Sequence, residues 1–418
     1  MSSRRPTDGN PHFEEPTMPI VTLAPDVYCV GVKDPGLAIF DIVIPTEHGT
    51  TYNSYLVKGT EKTALIDCVK RPFAAELLRN IEEILPVSKL DYVIVNHSEP
   101  DHAGALVELL QRNPTVTVLL SRSAKTFVDN LVNAGFPFRI VGDDDELQLG
   151  GKTLRFINAP FLHWPDTILT YLEEEKILFP CDFLGAHYSS PHTFNDELHE
   201  PAKARKAFEF YYATIMRPYK EHILHACERL RGVPFGMIAP SHGPVLRKDP
   251  RNYLEYYEER ASASRRVTEK KVVIVYVSAY GNTAAMAGKV ADGVAAGGLT
   301  PVLMNGVEVP MERIIDENDE SVGLLIGTPT LNSNVPHPIL NMIANLVTLN
   351  IRGKAASVFG SYGWSGEAIK TVQDILTSMR IKVAPEPMKV RMAPSAQDLE
   401  ACVDFGRKFA GIAAGGAP

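Results

Sequence analysis

One short segment constrains this chain more than any other. Tyr92-Val93-Ile94-Val95 is an apolar stretch that reads as a buried strand, and it runs straight into Asn96-His97-Ser98-Glu99-Pro100-Asp101-His102. Four side chains able to ligate metal fall within six positions, and a strand end so rich in imidazole and carboxylate reads as a binuclear metal site. Alternation along an extended loop places His97, Glu99 and Asp101 on one side and His102 on the other, so a single segment can serve two ions. The competing reading, solvated turn residues, accounts for one His beside one carboxylate but poorly for four donors together.

Such a site needs further donors in the same setting, and the sequence contains them. His163 follows the stretch from Phe156 to Leu162, Asp182 follows Ile177-Leu178-Phe179-Pro180-Cys181, and His242 follows the stretch from Gly236 to Ser241. Four strand-end loops are therefore expected to converge where an α/β sheet places its ligands.

The order and spacing resemble the metallo-β-lactamase-like domain of flavodiiron proteins, with its motif His-x-Glu-x-Asp-His followed by His, Asp and His. Zinc hydrolases of the same fold carry a second His where this chain has Glu99, and a hard carboxylate oxygen suits iron better than zinc. The resemblance implies that His97, Glu99 and His163 hold one iron, Asp101, His102 and His242 the other, and that Asp182 bridges them. Three carboxylates leave such a pair at a net charge of about +1 when diferrous and about +3 when diferric.

Length and charge fit this picture. A chain of 418 residues exceeds what one core serves, and 45% hydrophobic content supplies two. The net charge of −8 argues against a nucleic-acid partner. No run approaches the roughly 18 apolar residues of a membrane span, and the polar stretch from Met1 to Pro16 lacks a signal peptide's apolar centre, so a cytoplasmic protein is expected. Cys29, Cys68, Cys181, Cys227 and Cys402 form no Cys-x-x-Cys pair, which disfavours a disulfide framework, a zinc ribbon or an iron–sulfur site. Cys181, beside Asp182, reads as a small residue of the core.

Besides Asp182, two residues are candidates for catalytic support. His187, with His192 behind it, could orient ligands or deliver protons, although surface or structural roles fit both equally. Tyr212, or its neighbour Tyr211, could turn a hydroxyl toward the site, although an aromatic cluster at this density also reads as helix core. His222 and His225 lie three apart on a probable helix but lack a third ligand.

The charged, small-residue stretch from Glu258 to Lys270 reads as a helix end and linker. The expected division is a polar extension 1–18, a metal domain 19–262, a linker 263–270, a second domain 271–412 and a tail 413–418. The second domain opens with the β-branched run Val272 to Val277, as expected of a central parallel strand covered on both faces. It leads into Ser278-Ala279-Tyr280-Gly281-Asn282-Thr283 and an Ala-rich helix, Ala284 to Ala296. Backbone N–H groups at a helix start form an anion cradle, although small polar residues also cap ordinary helices. Two more apolar strands run into Thr328-Pro329-Thr330-Leu331-Asn332 and Ser361-Tyr362-Gly363-Trp364-Ser365-Gly366.

This set resembles a flavodoxin. The resemblance implies FMN, with its phosphate in the first loop and its ring bordered by the other two, stacked on Trp364 or Tyr362. Both resemblances together cover roughly Pro19 to Ile412 in the flavodiiron order. They imply α/β and α+β architecture: an N-terminal αββα sandwich followed by a doubly wound parallel sheet. They further imply a reductase with two irons and FMN, taking O2 to water and/or NO to N2O, in a head-to-tail homodimer or tetramer. Two ferrous ions and a reduced flavin together hold four electrons, as many as O2 reduction to water requires. No cysteine-rich module or Gly-x-Gly-x-x-Gly loop follows, so electrons are expected from a separate donor, a rubredoxin or reduced coenzyme F420. In such sites the residue at His102 can also turn away from iron. Two other readings stay open: a binuclear zinc hydrolase with an accessory flavodoxin domain, and a non-catalytic flavin electron carrier.

Overall fold

Alternating burial along the strand Tyr92–Val95 shows how the first half of the chain is layered. Ile94 packs into one apolar cluster and Val93 and Val95 into another, so the strand is covered on both faces and its sequence reads as continuously apolar. The computed structural model describes residues 20–262, 270–346 and 354–415. The expected N-terminal extension, all but the last residue of the expected linker, and the end of the tail lie outside the described residues. The chain divides into two compact units between Glu259 and Arg260, within the helix Pro250–Ser262.

The first unit contains two large sheets. A seven-stranded sheet is ordered Val21–Ala24, Val27–Cys29, Tyr55–Lys58, Thr63–Ile66, Tyr92–Val95, Thr117–Leu120, Phe138–Ile140. Its strands pair parallel from Thr63–Ile66 onward. A five-stranded sheet runs Glu146–Gln148, Thr153–Asn158, Ile168–Leu172, Ile177–Phe179, Met237–Ile238. One core lies between the sheets, where Ile66, Ile94 and Leu119 meet Phe156, Ile168 and Phe179. The opposite face of the first sheet is covered by helices through Leu77, Leu109 and Val128. Each such side chain removed from water contributes about 1.5–3 kcal/mol.

The second unit is a parallel sheet ordered Thr300–Asn305, Lys271–Tyr276, Gly323–Gly327, Ala355–Tyr362, Lys382–Val383, with Met388–Arg391 also paired to Ala355–Tyr362. Helices cover both faces. Ile339, Met342 and Ile369 pack with Val273 and Val275, while Met286, Val290 and Phe409 pack with Val272 and Ile274. This 2-1-3-4-5 order places ligands at the carboxyl ends of the central strands.

Candidate metal centre and flavin loops

The strand Tyr92–Val95 delivers its ligands through a braced joint. Asn96 donates its backbone N–H to Asp67 Oδ1 at 2.8 Å and its amide to Asp67 Oδ2 at 3.2 Å and to the Phe179 carbonyl at 3.2 Å. Asn96 in turn accepts from Thr170 Oγ1 at 2.7 Å. One side chain thus ties both sheets together immediately before His97. Burial pushes the Asp67 carboxyl up to about 6, against the pull of His102 and the Asn96 N–H.

The chain does not stay extended beyond Glu99. Pro100 opens a single helical turn, Pro100–Ala103, because a residue without an N–H loses nothing at the first helical position. Alternation therefore fails at this point, and the expectation that Asp101 shares a side with His97 and Glu99 is corrected. His97, Glu99, His163 and Asp182 form one cluster, and Asp101, His102 and His242 form another.

Asp182 joins the two clusters through separate oxygens. Its Oδ2 lies 3.7 Å from His97 Nε2 and 3.5 Å from His163 Nε2, while its Oδ1 lies 3.1 Å from His102 Nε2 and 3.4 Å from His242 Nε2. Glu99 Oε2 is 3.1 Å from both His97 Nε2 and His163 Nε2. Asp101 faces His102 Nε2 at 3.3 Å and His242 Nε2 at 3.1 Å. Donors bound ~2.1 Å from one ion lie about 3.0–3.4 Å apart; all the spacings but those from Asp182 Oδ2 fall there, and the set suits two ions sharing one carboxylate.

The polar accounting agrees with that fit. Both oxygens of Asp101, Nε2 of His102 and of His242, and Oδ2 of Asp182 are buried without a hydrogen-bond partner. Buried polar atoms are rarely left so, and a cluster of them facing common points is accounted for by cations. The carboxylates favour protons on the imidazoles that face them. Burial disfavours a charged ring at His97, but hydrogen bonds to Asp166 and Glu99 outweigh it and lift it to about 9. His163 rises to about 10, against burial, through Asp182 and Glu99. Glu99 falls to about 2, against burial, through His163 and His97. Metal binding at these residues must release the protons.

The rings of His97 and His242 are held from behind. Asp166 accepts from His97 Nδ1 at 3.1 Å and from the Ser98 N–H at 2.8 Å, while its own carbonyl accepts from Ser121 at 2.7 Å. His242 Nδ1 donates to the Thr51 carbonyl at 2.6 Å. Gly243 then turns at φ +80, where an added Cβ would lie 2.6 Å from the Ala186 carbonyl. Asp67, Phe161, Cys181 and Leu184 all adopt left-handed backbone beside ligands, a conformation that costs a non-glycine residue roughly 1–3 kcal/mol.

The supporting candidates fare differently. Tyr211, not Tyr212, reaches the centre, donating its hydroxyl to Asp182 Oδ1 at 2.8 Å. Tyr212 packs its ring on Tyr256 and Tyr257, because adjacent helical residues point about 100° apart. His187 stacks 5.0 Å from His242, and its Nδ1 lies 2.9 Å from Thr50 Oγ1. Burial, then His242, holds it well below the usual imidazole range. His192 pairs instead with His199, Nε2 to Nε2 at 3.0 Å, and His222 packs on Phe161. Sequence reasoning missed Asp166, Asp67, Asn96 and Thr50. Asp166 was discoverable, since it lies three residues after His163 and metal-ligating histidines need a partner for their second nitrogen.

In the second unit, three strand-end loops meet. Gly281 adopts φ +84 at the start of helix Asn282–Ala296 and, having no side chain, leaves the helix start without a side-chain cap from that position. Ser278 Oγ and Thr330 Oγ1 are buried without partners. Thr283 Oγ1 lies 2.9 Å from Ser361 Oγ, and the Thr330 N–H donates to the Ser361 carbonyl at 3.1 Å, tying the loops together. Tyr280 is 90% exposed and Trp364 72% exposed. Bare amides, unused hydroxyls and open aromatic faces suit a phosphorylated flat cofactor.

Comparison with known proteins agrees with both units. Residues 50–243 match the family model described as ODP family beta lactamase, and residues 274–406 match Flavodoxin. The chain is 40% identical over 411 residues to the type A flavoprotein fprA of Rhodobacter capsulatus, covering 96% of this chain and 93% of that protein. It is 34% identical over 395 residues to a nitric oxide reductase of Moorella thermoacetica, covering 93% and 98%. Among solved structures, rubredoxin oxygen:oxidoreductase from Desulfovibrio gigas superposes with TM-score 0.71 at 28% identity, covering 95% of this chain and 99% of that one.

Proposed function

The chain belongs to the flavodiiron protein family, and from that premise we propose that it is an oxidoreductase reducing O2 to water and/or NO to N2O. The observation that carries this reading is Asp182, whose two oxygens face two separate ligand trios. His97, Glu99 and His163 would hold one iron, Asp101, His102 and His242 the other, and Asp182 both. FMN would lie over Ser278–Thr283, Thr328–Asn332 and Ser361–Gly366, with Trp364 or Tyr362 against its ring. Bound there, the two irons and the flavin supply the reducing electrons.

The chain's own residues provide order. Asp166 fixes the His97 ring so that Nε2 faces inward, and the Thr51 carbonyl does the same for His242. The Tyr211 hydroxyl holds a proton against Asp182 Oδ1 and restrains that carboxylate. Exposed Tyr280 and Trp364 leave room for a separate electron donor, which we assign as a rubredoxin or reduced coenzyme F420. A head-to-tail dimer or tetramer would bring the flavin of one copy to the metals of another. No helix among the described residues is long and apolar enough to cross a membrane, and the five free cysteines accord with a cytoplasmic setting.

The test is metal and flavin analysis followed by anaerobic gas consumption after chemical reduction. About two irons and one FMN per chain, with about four electrons used per O2, is expected. Zinc in the site and no gas consumption would favour a hydrolase instead.

A further inference from the structure

We propose that the cleft between helix Pro201–Tyr211 and the facing segment from Ala38 to His48 binds a small organic monoanion with a flat apolar body. The helix has two distinct faces. Ala204, Phe208 and Tyr211 are buried, and Tyr211 reaches Asp182. Lys203, Lys206, Ala207 and Phe210 recur at i, i+3, i+4 and i+7 and line a cavity of about 640 Å³. Ala38, Pro45 and His48 line it from the facing segment, and His187, itself buried, also lines it.

The lining specifies the ligand's chemistry. Phe210 is 43% exposed, an apolar ring left open beside Pro45 and Ala207, which suits a flat hydrocarbon surface. Lys203 is engaged by Glu200 at 2.7 Å, but Lys206 enters no ion pair among the described residues. Glu47, the acid on this wall, is 88% exposed and lies 3.9 Å from His48 Nε2, so Lys206 is the lining ammonium left without an ion-pair partner among the described residues. His187 adds a second observation. Its Nδ1 is committed to Thr50, yet its buried Nε2 has no hydrogen-bond partner. One free ammonium, one unused imidazole nitrogen and an open aromatic face match a carboxylate on a ring. Because the His187 ring stacks 5.0 Å from that of His242, an occupant would sit one side chain from the metal ligands. Nothing in this proposal depends on which metal those ligands hold.

Calorimetric titration of the full-length, metal- and flavin-loaded protein tests it, with benzoate as probe and benzamide as its neutral counterpart. Saturable benzoate binding is expected, about tenfold tighter than that of benzamide. Lys206→Glu should weaken it about tenfold, and Phe210→Ala about fivefold. Both side chains lie on the open face of the helix, so unchanged metal content and melting temperature will show that the variants fold. No saturable binding, equal binding of benzamide, or full retention by both variants would overturn the proposal. The readout is binding heat, so a zinc-loaded protein that consumes no gas would sink the reductase reading and leave this one standing.

Discussion

The two units solve the same problem, holding a redox group at strand ends, with different materials. In the first, donors are side chains, mostly buried, and three of them are braced by a partner from elsewhere in the chain: Asp166 braces His97, the Thr51 carbonyl His242, and Tyr211 Asp182. In the second, the proposed cradle offers a helix start and exposed rings, with Gly281 in a left-handed turn and Tyr280 and Trp364 open to solvent. An ion must be matched within tenths of an ångström by specific atoms, whereas a flat cofactor spreads its contacts over a wide surface. The first unit should therefore fail abruptly on single substitutions and the second gradually.

The largest expected effect tests that contrast directly. Asp182→Ala removes the shared carboxylate, and metal analysis should find both ions lost, with activity falling about a thousandfold or more while FMN content is unchanged. Loss of only one ion would break the claim that the two clusters share Asp182. Next, chelation of the loaded protein should lower the melting transition of the first unit by about 10 °C and leave that of the second unmoved, as calorimetry would show. A single transition that shifts as a whole would mean the units are not energetically separate. Third, Asp166→Asn should weaken metal affinity about tenfold to a hundredfold, whereas Gly281→Ala, strained at φ +84, should weaken FMN about tenfold or less in a fluorescence titration. Equal or reversed losses would contradict abrupt against gradual failure. The smallest effect separates two neighbours: Tyr211→Phe should slow turnover about threefold to tenfold through its lost hydrogen bond to Asp182, and Tyr212→Phe should not.

How legible the molecule was in its sequence also differs between the units. The strands Tyr92–Val95 and Lys271–Tyr276 were readable because strands buried on both faces are uninterrupted apolar runs. The loops proposed for the flavin stand out in the sequence because each is a contiguous segment following such a run. Tyr211 and Tyr212 were not separable, since both lie on a buried stretch of helix and only the helix's rotation decides which hydroxyl meets Asp182.

The sequence by itself determined the donor types and the strand ends that present them, because a strand hands its following residues to a known edge of the sheet. Glu99 in place of a histidine is likewise a matter of sequence alone. Alternation along the loop could not give how the donors divide; the resemblance implied it, and only the tertiary structure supplies the physical reason. Pro100 starts a helical turn that sends Asp101 toward His102 and His242, and Asp182 turns one oxygen to each trio. It also supplied the bracing partners. Asp67 lies 29 residues from Asn96 and Asp166 lies 69 from His97. Hydrogen bonds at such separations leave no local pattern, since they form only once strands and loops distant in sequence have come together.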